Sequence, residues 1–130
     1  MGVSTPMPLP ASAEDPESRI DRARLIIESE YASPLTPLRL ARRLRVPRLA
    51  FYQGFVDAFG TSPQHYLRRC RMQAAARLLD EGFDRHAVAQ RVGYSAFSPF
   101  AADFRREFRG DQDRARLLDE ACKQGSLQSE

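Results

Sequence analysis

The segment GTSPQHYLRRCRMQAAARLLDEG, residues 60–82, decides the fold. Ser62 is a favoured residue at a helix N-cap, Pro63 suits the first helical position, and Gly82 suits the position just after a helix end. Apolar residues recur between them at helical spacing: Tyr66, Leu67, Cys70 or Met72, Ala75, Leu78 and Leu79. The segment therefore predicts one long helix over residues 62–82. It also contains four arginines and no acidic residue before Asp80.

The same arrangement of a short helix, a tight turn and a second helix is predicted on each side of this segment. Before it, Thr36 and Pro37 start a short helix and Pro47 starts the second one. After it, residues 84–92 form the short helix and Gly93 lies in the turn. Phenylalanines one helical turn apart mark both second helices: Phe51, Phe55 and Phe59 in the first unit, and Phe100, Phe104 and Phe108 in the second. The two units form an internal repeat of about 48 residues.

A short helix joined to a second helix by a tight turn is the layout of a helix-turn-helix, in which a small residue permits close crossing. Ala41 and Ala89 hold that position. The residues expected to face inward on the short helices are Leu38, Ala41 and Leu44 in the first unit, and Val88, Ala89 and Val92 in the second. The phenylalanine rows are expected to be core, so function must lie on the opposite faces of those helices.

One further helix is predicted at each end of the repeat. Residues 1–17 lack periodicity and are expected to be a disordered leader, Ser18 is expected to cap the first helix, and residues 124–130 are expected to be a polar tail. The predicted organisation is a first unit at residues 18–61, the linker helix at 62–82, a second unit at 83–110 and a C-terminal helix at 111–123. No strand pattern occurs, so the predicted fold class is all-α, with about seven helices and two helix-turn-helix subdomains.

The composition excludes several classes of protein. No apolar run in the 130 residues approaches the roughly 20 that a membrane span needs, and the start lacks a secretory signal, which predicts a cytoplasmic protein. Cys70 and Cys122 are far apart and have no CxxC spacing. His65 and His86 belong to no pattern of carboxylate, histidine and nucleophile. The sequence therefore predicts no enzyme activity, no metal and no cofactor.

Basic residues are concentrated in the middle of the chain. Residues 39–79 contain nine arginines and one acid, Asp57, whereas both flanking segments contain more acids than bases. A basic block of this kind indicates a surface for a polyanion. Arg suits phosphate and guanine edges, although a GC-rich coding sequence would also favour Arg over Lys.

Two motifs carry a family resemblance. GTSPQHYLRRCRMQAAARLL resembles the segment G-x-S-P-x-x-Y-L-x-x-x-R-L-x-x-A-x-x-L-L of the AraC/XylS transcription regulators, and AVAQRVGYS resembles their I-A-x-x-V-G-F-S turn. The resemblance covers about residues 20–116, and the second unit has one more residue than the first between its Ala and its first Phe, as in the family. It implies seven helices in two helix-turn-helix halves that bind double-stranded DNA at asymmetric promoter sites. The protein would then associate with the nucleoid when bound.

The linker helix is predicted to set the distance between the two halves. From Ser62 to Glu81 it would be roughly 30 Å long at 1.5 Å per residue, against about 34 Å for one turn of B-DNA. Such a spacer could place two recognition helices in successive major grooves. Arg68, Arg69 and Arg71 diverge by 100° or more and cannot all face DNA, so these arginines are expected to face phosphate or to lie on the outside.

The resemblance also implies DNA-binding residues. In the first recognition helix, base contacts fall on Leu49, Tyr52 and Gln53, with Arg48 near phosphate. In the second helix the matching positions are Ser98, Pro99 and Ala102, with Arg105 beside the backbone, and Ser95 precedes them in the turn. Gln53 could pair with adenine, and Leu49 or Tyr52 could meet a thymine methyl group.

Departures from the family pattern leave two functional readings open. Ala102 replaces a polar or basic residue, Asp103 is expected to repel phosphate, and RGDQDRAR lacks the Pro and Tyr of the closing motif. We therefore expect the first half to supply most of the DNA affinity and specificity. The alternative is a degenerate domain that acts as a protein-interaction module. No segment remains for an effector or dimerisation domain, which predicts a stand-alone monomer, and the family implies contact with RNA polymerase.

Overall fold

The computed structural model describes residues 15–128, with side chains for residue 15 and residues 17–121. Within that part of the chain there are seven helices and no strand, and the helices in order are α1 (Pro16–Glu30), α2 (Pro37–Arg43), α3 (Arg48–Phe59), α4 (Pro63–Asp80), α5 (Arg85–Arg91), α6 (Phe97–Glu107) and α7 (Gln112–Gln128). The predicted all-α fold class is confirmed. The leader predicted for residues 1–17 falls, up to residue 14, outside the described residues.

The linker helix and the short helix of the first unit begin where the sequence predicts. The Ser62 hydroxyl accepts the amide hydrogen of His65 at 3.1 Å, and the Thr36 hydroxyl accepts that of Arg39 at 3.1 Å. Each is followed by proline at the first helical position, where no intrahelical amide bond is lost. Gly60, with φ of 73°, ends α3 in the left-handed conformation.

The two ends of the helical body differ from the prediction. Asp15, not Ser18, caps α1, because its carboxylate accepts the amide hydrogen of Ser18 at 2.8 Å. That backbone hydrogen bond lowers the pKa of Asp15, since it favours the ionised form. At the other end, α7 continues to Gln128 instead of giving way to a tail at residue 124. No proline follows Lys123, and the single Gly125 weakens a helix by only about 1 kcal/mol relative to Ala.

Two hydrophobic cores form, one in each half, and α4 contributes to both. The first core contains Ile20, Ala23, Ile27, Leu35, Leu40, Ala41, Leu44, Phe51, Phe55 and Leu67. The second contains Met72, Ala74, Ala75, Ala76, Leu79, Val88, Ala89, Val92, Phe100, Ala101, Phe104, Phe108, Leu118 and Ala121. Tyr31 packs against both. Because one rigid helix enters both cores, the halves are held in a common frame.

The internal repeat is visible in matching contacts. The Phe55 and Phe59 rings meet edge to face with centroids 4.7 Å apart, and Phe104 and Phe108 do the same at 4.7 Å. Edge-to-face pairs add to the stabilisation that ring burial provides. The phenylalanine rows are core in both units, as the four-residue spacing predicts, except that Phe59 is partly buried at the edge of the first core.

The inward face of α2 was predicted wrongly at one position. Leu38, which was expected to face inward, is 40% exposed. Leu40 is 1% exposed and faces the core in its place. Because α2 begins at Pro37, the positions that face the core are Leu40, Ala41 and Leu44, at helical spacing. Leu38 points away from this stripe.

The two turns share one backbone hydrogen bond and a residue of positive φ. The amide of Val46 bonds to the carbonyl of Ala41 at 3.0 Å, and the amide of Tyr94 bonds to that of Ala89 at 2.9 Å. Four residues after each alanine the chain has positive φ, at Arg45 with 59° and at Gly93 with 102°. The φ of 102° at Gly93 is one that residues with a Cβ atom rarely adopt, and a neighbouring segment also approaches Gly93 closely.

Ion pairs join α1 to the helices around it. Arg43 donates to both carboxylate oxygens of Glu30, each at 2.8 Å, and this interaction lowers the pKa of Glu30. Glu28 accepts from the Tyr66 hydroxyl and pairs with Arg24 at 3.2 Å. These contacts fix α1 against α2 and α4. Among the described helices, none combines the length and apolar composition that a membrane crossing requires.

Candidate nucleic-acid interface

The outer face of α3 brings together the four residues predicted for the first half. Phe51 and Phe55 are buried on the inner side of the helix. Arg48, Leu49, Tyr52 and Gln53 are all exposed on the other side. The pairs Arg48 with Tyr52 and Leu49 with Gln53 are each four residues apart, so they lie along one face. Leu49 is 77% exposed and Tyr52 is 45% exposed, so this face presents apolar carbon atoms to solvent beside its polar groups.

The outer face of α6 is smaller and less polar. Phe100, Ala101 and Phe104 are buried on its inner side. The exposed residues at the predicted positions are Ser95, Ser98, Pro99, Ala102 and Arg105. Ala102 offers no hydrogen-bonding group. The helix begins at Phe97, and Ala96 at its N-cap provides no side-chain hydrogen bond, so the amide groups of Phe97 and Ser98 are free to meet an acceptor from outside.

Four arginines of the basic block carry positive charge that no acidic side chain in the described part of the chain neutralises. Among the described residues, the guanidinium groups of Arg42, Arg45, Arg48 and Arg69 make no ion pair. All four side chains are exposed. Arginines without an internal partner keep their full attraction for a phosphate backbone. The basic block therefore contributes to the surface of the first half even though some of its members serve the fold.

The helix-turn-helix family model matches residues 40–110, which is more than half of the chain. A curated relative is the probable thc operon regulatory protein of Rhodococcus erythropolis, 31% identical over 88 residues, which are 63% of this chain and 26% of the relative. The chain spans about a quarter of the length of that relative.

Solved structures give the same assignment. The chain is similar to the C-terminal domain of AraT, a response regulator from Geobacillus stearothermophilus, with 28% identity, a TM-score of 0.69 and coverage of 78% of this chain and 85% of that one. It is also similar to a probable AraC family transcriptional regulator from Rhodopseudomonas palustris CGA009, with 25% identity, a TM-score of 0.65 and coverage of 80% and 97%. The chain belongs to the AraC/XylS family. It is a DNA-binding transcription regulator domain and not an enzyme.

In this AraC/XylS domain Asp103 has a partner within the protein. Its carboxylate accepts the hydroxyl hydrogen of Tyr94 at 2.6 Å and lies 3.8 Å from the guanidinium of Arg106. The sequence suggested only a negative charge facing phosphate. The structure instead gives Asp103 a role in attaching α6 to the turn that precedes it.

The arginines of the linker helix have different surroundings. Arg71 is partly buried and donates to the main-chain carbonyls of Tyr31 at 2.7 Å, Ser33 at 3.0 Å and Leu35 at 3.4 Å. Arg68 bonds to His65 at 2.7 Å and lies 4.0 Å from Glu107. The expectation that these arginines face phosphate or lie outside is therefore wrong for Arg71. Arg69 is exposed, as expected.

An apolar groove adjoins the predicted base-contacting residues. It lies where the first turns of α2, α3 and α4 converge, and its walls include Leu38, Leu49, Tyr52, Pro37 and Pro63. Three of the four large hydrophobic side chains exposed among the described residues are in this set, namely Leu38, Leu49 and Tyr52. Such a patch beside the first turn of α3 provides methyl and ring carbons for an apolar ligand group.

Proposed function

We propose that this domain binds a specific DNA sequence by placing α3 and α6 in successive major grooves, with α3 supplying most of the affinity and base discrimination. The observation that carries the proposal is the exposed row Arg48, Leu49, Tyr52 and Gln53 on α3, a helix whose inner side is anchored by buried phenylalanines. A helix held rigidly by its inner face presents such a row at fixed geometry. The 18-residue α4 spans about 27 Å. This length suits two helix-turn-helix halves on one side of a DNA duplex, in which one turn is about 34 Å long.

The side chains of α3 suit an adenine and thymine site. The amide of Gln53 can donate to and accept from the edge of adenine at once. Leu49 and Tyr52 present carbon atoms that can pack on a thymine methyl group. Arg48 sits at the start of the helix and would contact a phosphate, which positions the helix without selecting a base.

The side chains of α6 suit a smaller contribution. Ser98 can bond to several bases, so it discriminates weakly. Ala102 has only a methyl group to offer. Ser95 and Arg105 would contact the backbone, as would the free amides at the start of α6. The second half would then add affinity and orientation more than base selection.

The test begins with in vitro selection of DNA from a random library, followed by binding measurements on the selected duplex. Gln53→Ala and Arg48→Ala should each weaken binding more than tenfold, about 1.4 kcal/mol or more, whereas Ser98→Ala should change it less than about threefold. Gln73→Ala and Arg77→Ala are matched controls, because both residues are exposed beside α7 and away from α3. Larger losses from Ser98→Ala than from Gln53→Ala would overturn the division of roles.

A protein-interaction module is the second candidate, and the groove of Leu38, Leu49 and Tyr52 favours it. The two functions differ in their response to salt. DNA binding makes log affinity fall with log salt at a slope of about 0.9 per phosphate contact. Arg48→Ala should reduce that slope by about one contact while Gln53→Ala leaves it unchanged. A flat response together with failure to select any sequence would favour the protein ligand.

A further inference from the structure

Arg71 occupies the point where the two halves meet. It lies four residues after buried Leu67 of the first core and four residues before buried Ala75 of the second. Its guanidinium donates to three carbonyls of the segment that joins α1 to α2, all from residues 36 to 40 positions earlier in the chain. Hydrogen bonds from a charged donor are stronger than those between neutral groups. One side chain of α4 therefore holds a loop of the first half.

The second half approaches the same point through its own turn. A Cβ atom on Gly93 would lie 3.0 Å from the carbonyl oxygen of Tyr31 and 3.1 Å from the Arg71 Nε atom. Only glycine allows this contact without displacing backbone. Tyr94 follows, with its ring 5.7 Å from the Arg71 guanidinium. The turn of the second unit is thus pressed against the loop of the first, with Arg71 between them.

The contact continues to the second recognition helix. The Tyr94 hydroxyl donates to Asp103 on α6, and Tyr94 and Asp103 also line the crevice that contains Arg71. We call Tyr31, Arg71, Gly93, Tyr94 and Asp103 the Arg71 junction. It forms an unbroken series of contacts from the first half to α6 that runs beside the linker helix and does not depend on the stiffness of that helix alone.

We propose that Arg71 is a positioning residue that fixes α6 relative to α3, and so selects the number of base pairs between the two sites that the domain accepts. The effect on DNA rests on the proposed function, whereas the effect on orientation does not. Without Arg71, the loop carbonyls and the Tyr94 ring lose their common partner. The halves would then be joined by α4 and by the packing of Tyr31, which permits a wider range of orientations.

Orientation can be measured without DNA. Spin labels at Leu49→Cys on α3 and Ser98→Cys on α6, in a chain with Cys70→Ser and Cys122→Ser, report the distance between the two helices. Arg71→Met should broaden the distance distribution about twofold or more while helix content is unchanged, since the contact that Arg71 makes between the two halves is lost. Arg71→Lys keeps the charge but cannot reach three carbonyls, so this variant should broaden the distance distribution less. Arg77→Met is the matched control on the same helix and should leave the distance distribution unchanged.

Arg71→Lys carries the test if Arg71→Met does not fold. If Arg71→Lys and Arg71→Met both fold and give a distance distribution as narrow as that of the wild type, the positioning role would be overturned. Broadening in both would support it, whatever the outcome of DNA selection.

Spacing on DNA gives the second readout. One base pair inserted between the two halves of the selected site rotates them by about 35°, which should weaken wild-type binding by about tenfold or more. Arg71→Met should bind the original site less tightly and lose less than about threefold on insertion. An equal loss in both proteins would show that α4 alone sets the spacing. Failure to obtain any selected site would count against the proposed function and leave the distance measurement as the test of the junction.

Discussion

The hydroxyl of Tyr94 donates to the carboxylate of Asp103 at 2.6 Å, which ties the second turn to the helix that it precedes. Burial raises the pKa of Tyr94 well above its ordinary value near 10, and the facing Asp103 raises it further. Arg71 and Arg68 act in the opposite direction and are outweighed. The pair is therefore stable only while the tyrosine keeps its proton.

The Tyr94 pair should make the domain sensitive to alkaline pH. Because the pKa of Tyr94 is higher in the folded protein than in the unfolded chain, the stabilisation from the pair is fully present below about pH 10. It is lost as the pH rises from there through the pKa of Tyr94 in the folded protein. Tyr94→Phe should cost about 1 kcal/mol in the free energy of unfolding at pH 7, and the difference from wild type should shrink at pH 10.5. Urea denaturation at the two pH values measures this. Tyr52→Phe is the control, since Tyr52 is exposed; a difference for Tyr94→Phe that is constant with pH would contradict the prediction.

The close approach at Gly93 should be measurable by comparison with Gly110. Both residues have positive φ, 102° and 91°, so an alanine at either position meets the same kind of backbone strain. A Cβ at Gly110 meets nothing within 4 Å, whereas at Gly93 it meets the Tyr31 carbonyl at 3.0 Å. Gly93→Ala should therefore reduce the free energy of unfolding by about 2 kcal/mol more than Gly110→Ala. Equal losses in urea denaturation would mean that the loop moves aside easily.

Local signals in the sequence predicted most of the fold. The caps at Thr36 and Ser62 and the left-handed Gly60 depend on residues within one helical turn, so a short stretch is enough to identify them. The phenylalanine rows follow from periodicity for the same reason. Knowing which face of α3 and α6 is buried then leaves only the opposite face for function, and the predicted residues lie there. Their individual roles stay predictions.

The Arg71 junction was missed because its partners are distant in sequence. The carbonyls that accept from Arg71 precede it by 36 to 40 residues, and nothing local identifies them. One signal was present: Arg71 falls four residues from Leu67 and from Ala75, within the apolar stripe of the linker helix. An arginine in such a stripe needs acceptors inside the protein, because burying its charge without them is costly. The Leu38 error has another origin, since α2 is too short for its periodicity to fix the inward face.

The crossing of α1 and α3 can be tested at Gly54. An alanine there should gain about 1 kcal/mol in helix propensity, but its Cβ would lie 3.2 Å from the Ile20 Cδ1 atom and 3.3 Å from the Ile20 Cγ1 atom. Gly54→Ala should therefore change the free energy of unfolding little in the wild type and stabilise by about 1 kcal/mol in an Ile20→Ala background, where both atoms are absent. Ile27→Ala is the control, because Ile27 is buried on the same helix and does not meet the added atom. Additive effects with Ile20→Ala would contradict this account of the crossing.

Contact between Leu49 and a thymine methyl group can be tested on the DNA. Replacing thymine by uracil removes the methyl group alone, and within the part of the selected site bound by the first half this should weaken binding about fourfold, from roughly 0.8 kcal/mol per buried carbon. With Leu49→Ala the replacement should make little further difference, because the side chain that packs on the methyl group is gone. Leu38→Ala is the matched control: Leu38 lines the same groove from α2, and its variant should still respond to uracil. Equal responses to uracil in the wild type and in Leu49→Ala, measured by fluorescence anisotropy, would place the exposed leucine away from the bases and favour a protein ligand for the groove.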